Sequence, residues 1–245
     1  VAAPNGKRRR EFLLLQLLPN FITFGAIAAG LTAIRQAIEG NFQVAVGLIV
    51  LAAVLDGMDG RLARLLKSES AIGAELDSLA DFVNFGVAPG IVLYLWAFDE
   101  AQNLGWIAAL VYAICCVLRL ARFNVDARSP RPEGASNDFI GVPSPAGALL
   151  AMLPVYLGFL LPEAPHVPEL VVGLWMVLVG LAMISRVPTP SLKSARIYAE
   201  NVPFAMIAFV TLTAALVTYP WATLVAISLA YLAALLWAWQ RNRRR

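Results

Sequence analysis

Charge is scarce in this chain, and histidine and cysteine are scarcer still. Asp, Glu, Lys and Arg together make up 14% of the 245 residues, against about 25% in an ordinary soluble domain. So few charges cannot clothe a water-soluble globule of this size. The two cysteines, Cys115 and Cys116, are neighbours in an apolar run. Adjacent cysteines cannot staple distant segments, and a bridge between them is strained. A disulfide framework is therefore excluded, and both read as small packing residues. The single histidine, His166, excludes a multi-histidine metal centre.

What the chain has in abundance is apolar sequence. It is 60% hydrophobic, with a mean hydropathy of +0.72. The apolar runs are continuous, whereas a membrane β-barrel needs alternating segments of about ten residues. The fold class is all-α, a polytopic membrane helical bundle. Eight spans are expected, at 20–38, 43–65, 73–97, 104–123, 144–162, 169–186, 200–218 and 221–239, each near the roughly 20 residues that a bilayer requires.

The basic residues orient these spans. With eight spans and both termini on one face, eighteen of the nineteen Lys and Arg fall on that face, and only Arg35 falls on the other. This bias marks the cytoplasmic side, so both termini are expected there. The same charges suit contacts with anionic membrane lipids and do not point to nucleic acid. Residues 1–19 read as a basic juxtamembrane segment, with 7–18 an interfacial helix ended by Pro19. Residues 20–240 form the integral membrane domain, and 241–245 a basic cytoplasmic tail. No cleavable secretory signal is expected. Gly25 with Ala29, and Gly86 with Gly90, are spaced for close helix packing, and Pro89 should kink the third span.

Against this background four carboxylates stand out: Asp56, Asp59, Asp77 and Asp81. A carboxylate at mid-membrane costs at least about 2.5 kcal/mol, so four in one stretch need a reason. On the second span, Asp56, Gly60 and Arg64 step by four and share one stripe, with Asp59 and Ala63 on the next. On the third span, Gly73, Asp77 and Asp81 also step by four. A turn near 67–70 makes the two helices antiparallel and sets the carboxylates face to face near the cytoplasmic surface. Oxygen-only ligation selects hard cations, Mg²⁺ or Mn²⁺, with Ca²⁺ also compatible. Four carboxylates suit two such ions bridged by a phosphate, and Arg64 is placed to neutralise a diphosphate. His166 falls in a loop on the opposite face, away from this chemistry. The competing reading is an ion-coupled transporter using the aspartates as its ion site.

The pattern Asp56-x2-Asp59-Gly60-x2-Ala63-Arg64-x8-Gly73-x3-Asp77-x3-Asp81 resembles the signature of the CDP-alcohol phosphatidyltransferase family at all eight fixed positions. The resemblance implies a six-helix core, here with two further spans, a homodimer, and a cytoplasm-facing site in a bacterial inner membrane. It implies that Asp56, Asp59 and Asp77 ligate metal, and that Asp81 completes the site as general base. Gly60 and Ala63 would line the nucleotide site, Arg64 would contact the diphosphate, and Gly73 would permit close helix approach. Asn20 and Thr23, at the start of the first span, would contact the CDP moiety of CDP-diacylglycerol.

The acceptor is read from more local likenesses. Arg119-Leu-Ala-Arg122-Phe-Asn124, Gly141-Val-Pro143-Ser-Pro145 and Pro188-Thr-Pro-Ser191-Leu-Lys193 resemble the bacterial branch that uses L-serine. Arg119, Arg122 and Lys193 are candidates for its carboxylate, and Asn84 is a candidate polar contact. The same cations would suit glycerol 3-phosphate or inositol phosphate, which remain the alternative acceptors. Choline is disfavoured for want of an aromatic cage.

Overall fold

The computed structural model describes residues 6–66, 68, 70–128, 139–165, 167–185, 188–189 and 202–243. The described chain is helical and divides into two compact units, 1–99 and 100–245.

The first unit opens with α1 (Gly6–Ile38) and α2 (Phe42–Leu65). Gly40 makes the reversal between them, at φ 81°, a left-handed conformation that glycine adopts without steric cost. The two helices pack through small side chains. Ala26, Ala29, Ala33 and Ala37 of α1 are buried, as are Ala45, Val46, Ile49 and Ala52 of α2. Gly25 lies against Leu55. Between lipid-embedded helices no hydrophobic force operates, so close van der Waals contact of small residues sets the packing. The outer faces carry large apolar side chains such as Leu31, Val44 and Leu51, as a lipid-facing surface requires.

One expectation fails here. Pro19 does not end a separate interfacial helix but lies inside the unbroken α1. A proline removes one ladder bond, the one its missing N–H would give to Leu15 O, and the remaining bonds of the 33-residue helix carry the chain through.

The third span, Ala71–Ala97, is interrupted in register. It comprises α3 (Ala71–Asp81), a π-helical turn (Phe82–Val87) and α4 (Ala88–Ala97). Ser70 caps α3 by accepting a hydrogen bond from the Gly73 amide at 3.0 Å. Pro89 has no amide hydrogen to give the preceding turn. The chain widens just before it, with the Ala88 amide bonding Val83 O, so the irregularity expected at Pro89 takes the form of a π turn. Gly86 and Gly90 are buried there, as their spacing suggested.

The second unit comprises α5 (Gln102–Arg128), α6 (Ser144–Ala151), α7 (Leu153–Leu160), α8 (Glu169–Ile184), α9 (Val202–Thr218) and α10 (Pro220–Arg243). Glu169 anchors the start of α5, its carboxylate accepting from the Glu100 and Ala101 amides at 3.0 and 2.7 Å. Helix α5 packs on α8, where Gly180 lies against Cys115 and Tyr112. Cys115 and Cys116 are both buried, in keeping with the packing role read from the sequence. A two-residue antiparallel pairing, Phe139↔Thr189 and Ile140↔Pro188, ties the segment before α6 to the one after α8. Gly141 follows at φ 85°, where a Cβ would lie 2.6 Å from Met183 O.

All eight expected spans are present as helices. Five of them are long and apolar enough to cross a bilayer, and Ser144–Leu160, Glu169–Ile184 and Pro203–Thr218 are shorter. The chain is an integral membrane protein.

Candidate active site

The carboxylates approach one another as the four-residue spacing requires. The side chains of Asp56 and Asp81 are in contact, with Asp77 and Asp59 within electrostatic reach of Asp56. Asp59 also acts on Asp77. Two carboxylates about 4 Å apart repel by about 4 kcal/mol at an effective dielectric of about 20. A cluster of four therefore calls for compensating positive charge.

Asp59 is 2% exposed and is held from two sides. Thr23 Oγ1 donates to its Oδ2 at 2.5 Å, and the Gly60 amide donates to its Oδ1 at 2.6 Å. The Thr23 bond ties α1 to α2 at the level of the motif. Replacing Thr23 by the near-isosteric Val keeps the shape and removes that donor. A hydrogen bond to a charged group contributes about 1.5–3 kcal/mol, so Thr23→Val should lower the unfolding midpoint in detergent measurably. An unchanged midpoint would mean that the bond contributes nothing.

Beside the carboxylates lies a cavity of about 260 Å³. Eight of the residues singled out in the sequence are on its wall: Asn20 and Thr23 from α1, Asp59, Gly60, Ala63 and Arg64 from α2, and Gly73 and Asp77 from α3. The glycines play different parts. A Cβ on Gly73 would lie 3.3 Å from Asn20 Oδ1 and 3.1 Å from Ser70 Oγ, so this glycine lets α3 approach α1. A Cβ on Gly60 would meet nothing within 4 Å, so this glycine keeps space open.

The cavity wall also includes Pro19, Ser68, Ser70 and Ala74, which the motif does not cover. Ser68 Oγ is buried there without a hydrogen-bond partner among the described residues. The signal available in the sequence was the pair of serines flanking position 69 in the turn, the second placed as an N-cap three residues before Gly73.

Other expected residues lie elsewhere. Asp56 and Asp81 are not on the cavity wall, and Asp56 Oδ1 is buried with no hydrogen-bond partner among the described residues. Asn84, expected to face the cavity, does not open onto it but is fully buried. In the second unit, Arg119 donates to Ser144 Oγ at 2.8 Å and stacks over Phe123. Arg122 donates to Ile184 O at 3.0 Å. Lys193 and His166 lie outside the described residues.

The donor set suits hard divalent cations, because it is all carboxylate oxygen and includes the unpartnered Asp56 Oδ1. Among the described residues, no three Asp, Glu, His or Cys side chains are grouped closely enough to hold a metal ion. The residues fit such ions in donor chemistry and not in a preformed coordination geometry.

Fold and site together define a polytopic membrane protein with a carboxylate-rich cavity built between its first three spans. The family model for CDP-alcohol phosphatidyltransferase matches residues 16–185, and that for CDP-alcohol phosphatidyltransferase 2 matches residues 200–235. A Mycobacterium leprae protein named CDP-diacylglycerol–serine O-phosphatidyltransferase is 38% identical over 226 residues, covering 92% of this chain and 75% of its own. Proteins of the same name from Helicobacter pylori and Bacillus subtilis are 37% and 41% identical, over 74% and 57% of this chain and 75% and 76% of theirs. The chain belongs to the CDP-alcohol phosphatidyltransferase family.

Proposed function

We propose that this protein transfers the phosphatidyl group of CDP-diacylglycerol to the hydroxyl of L-serine, giving phosphatidylserine and CMP. The observation that carries the reading is the cavity shared by Asp59, Asp77, Arg64 and Gly60 beside the Asp56–Asp81 pair. Its carboxylates and guanidinium suit the charged head of such a substrate, and the apolar outer faces of the same helices suit its acyl tails. The serine acceptor rests on the shared name of the relatives above.

In this reading Asn20, Thr23, Gly60, Ala63, Arg64 and Gly73 receive the CDP moiety, with the guanidinium of Arg64 against the diphosphate. Asp56, Asp59, Asp77 and Asp81 would hold two divalent cations, Mg²⁺ or Mn²⁺, which when bound supply positive charge to the diphosphate. Asp81 accepts the proton of the serine hydroxyl as the oxygen attacks phosphorus. The bond between that phosphorus and CMP breaks, and CMP leaves with the electron pair. Arg119, Arg122 and Lys193 are assigned to the serine carboxylate. The site and both termini face the cytoplasm, on the strength of the basic-residue bias, and the protein works as a homodimer in the bacterial inner membrane.

The test is acceptor-dependent CMP release from CDP-diacylglycerol by purified protein with Mg²⁺ or Mn²⁺. Serine, glycerol 3-phosphate, inositol phosphate and choline are compared. Release with serine alone is the expected result. Release only with a phosphorylated acceptor keeps the chemistry and reassigns the basic residues to phosphate. No release with any acceptor favours the ion-transport alternative.

A further inference from the structure

Asn84 sits in the π turn that begins immediately after Asp81. Its side chain is fully buried, and neither Oδ1 nor Nδ2 has a hydrogen-bond partner among the described residues. It occupies a notch in α1 at Gly30, where any Cβ would collide with Asn84 Oδ1. Gly30 is seven residues beyond Thr23, two turns along the same face of α1, or about 10 Å of axial rise. Asn84 is the most buried polar residue of the first unit, and the half-buried Asp56–Asp81 pair lies on the helices that flank it. Asp56 Oδ1 is also without a partner among the described residues, on a helix that packs against the same π turn.

We propose that Asn84 is a positioning residue for the Asp56–Asp81 carboxylate pair, held in register by a notch that only a glycine at position 30 provides. The π turn that carries Asn84 follows directly on the last residue of α3, so seating Asn84 at Gly30 fixes the end of α3 that presents Asp81. A buried, unsatisfied amide is unfavourable inside a membrane bundle, and an apolar side chain of the same size would avoid that cost. The amide therefore points to a polar role.

The inference rests on the reading that Asp56 and Asp81 belong to the catalytic site. Its test follows serine-dependent CMP release and thermal unfolding in the unchanged protein, Asn84→Leu, Asn84→Ala, Gly30→Ala and the Gly30→Ala/Asn84→Ala double variant. Asn84→Leu and Asn84→Ala should lower kcat roughly tenfold or more with KM for CDP-diacylglycerol little changed, the pattern of a group acting on the chemical step. Gly30→Ala should lower both the unfolding midpoint and kcat. The double variant, with the collision relieved, should regain the midpoint and not kcat.

Full kcat in Asn84→Leu would reduce Asn84 to packing and overturn the proposal. If that variant does not fold, full kcat in Asn84→Ala overturns it equally. Recovery of kcat in the double variant would leave only the steric effect and overturn the positioning role. A raised KM at unchanged kcat would make Asn84 a substrate contact, against the proposal. Absence of serine-dependent release in the unchanged protein would defeat the functional reading itself, an outcome distinct from all of these.

Discussion

Asp81→Asn should abolish turnover while leaving CDP-diacylglycerol bound. The substitution keeps the size of the side chain and removes its ability to accept a proton. A serine hydroxyl is a weak nucleophile at neutral pH, and a positioned base contributes typically 10²–10⁴-fold. Asp81 is in contact with Asp56 and off the cavity wall, so the surface that receives the CDP moiety is undisturbed. Single-turnover CMP release and a binding titration with CDP-diacylglycerol separate the two effects. Intact turnover would remove Asp81 as the base. Loss of binding together with turnover would reassign it to holding the diphosphate.

Gly60→Leu should have the opposite signature, a folded protein that no longer binds its donor. Glycine in a helix interior is about 0.8–1 kcal/mol less favourable than alanine, and leucine lies close to alanine. Because nothing lies within 4 Å of a Cβ at this position, the unfolding midpoint should hold or rise. The new side chain projects into the cavity beside Asp59 and Arg64. Affinity for CDP-diacylglycerol should fall by about 1.4 kcal/mol or more, which is tenfold or more. Normal affinity in a folded Gly60→Leu protein would show that this cavity does not take the nucleotide. Gly73→Ala provides the contrast, since its Cβ would press on Asn20 and Ser70 and so disturbs helix packing as well.

Much of the site was legible because helical periodicity is local. Steps of four along the second and third spans placed Asp56 with Gly60 and Arg64, and Gly73 with Asp77 and Asp81, before any tertiary contact was known. Six of the eight motif residues then share one cavity wall with Asn20 and Thr23. The spans were legible for a similar reason, since a bilayer imposes a minimum apolar length. Less legible were the irregularities. Pro19 reads as a terminator, yet α1 continues through it, because a long apolar helix holds enough other ladder bonds to absorb the loss of one. Pro89 reads as a kink, yet the chain answers with a π turn. Asn84 reads as a cavity contact from its spacing after Asp81. The π turn breaks the regular register after Asp81, and the side chain is buried at Gly30 instead.

By itself, the sequence determined the helical membrane class, the positions of the spans and the acidic constellation. All of these follow from composition, apolar run length and the helical period, which act over a few residues to a few turns. Only the tertiary structure decided which motif residues reach the open cavity and which are packed behind it. It also decided that Gly60 clears space while Gly73 seats a helix, and that Thr23 braces Asp59. Each of those outcomes depends on what a neighbouring helix brings to within a few ångströms, and no spacing along one helix specifies that.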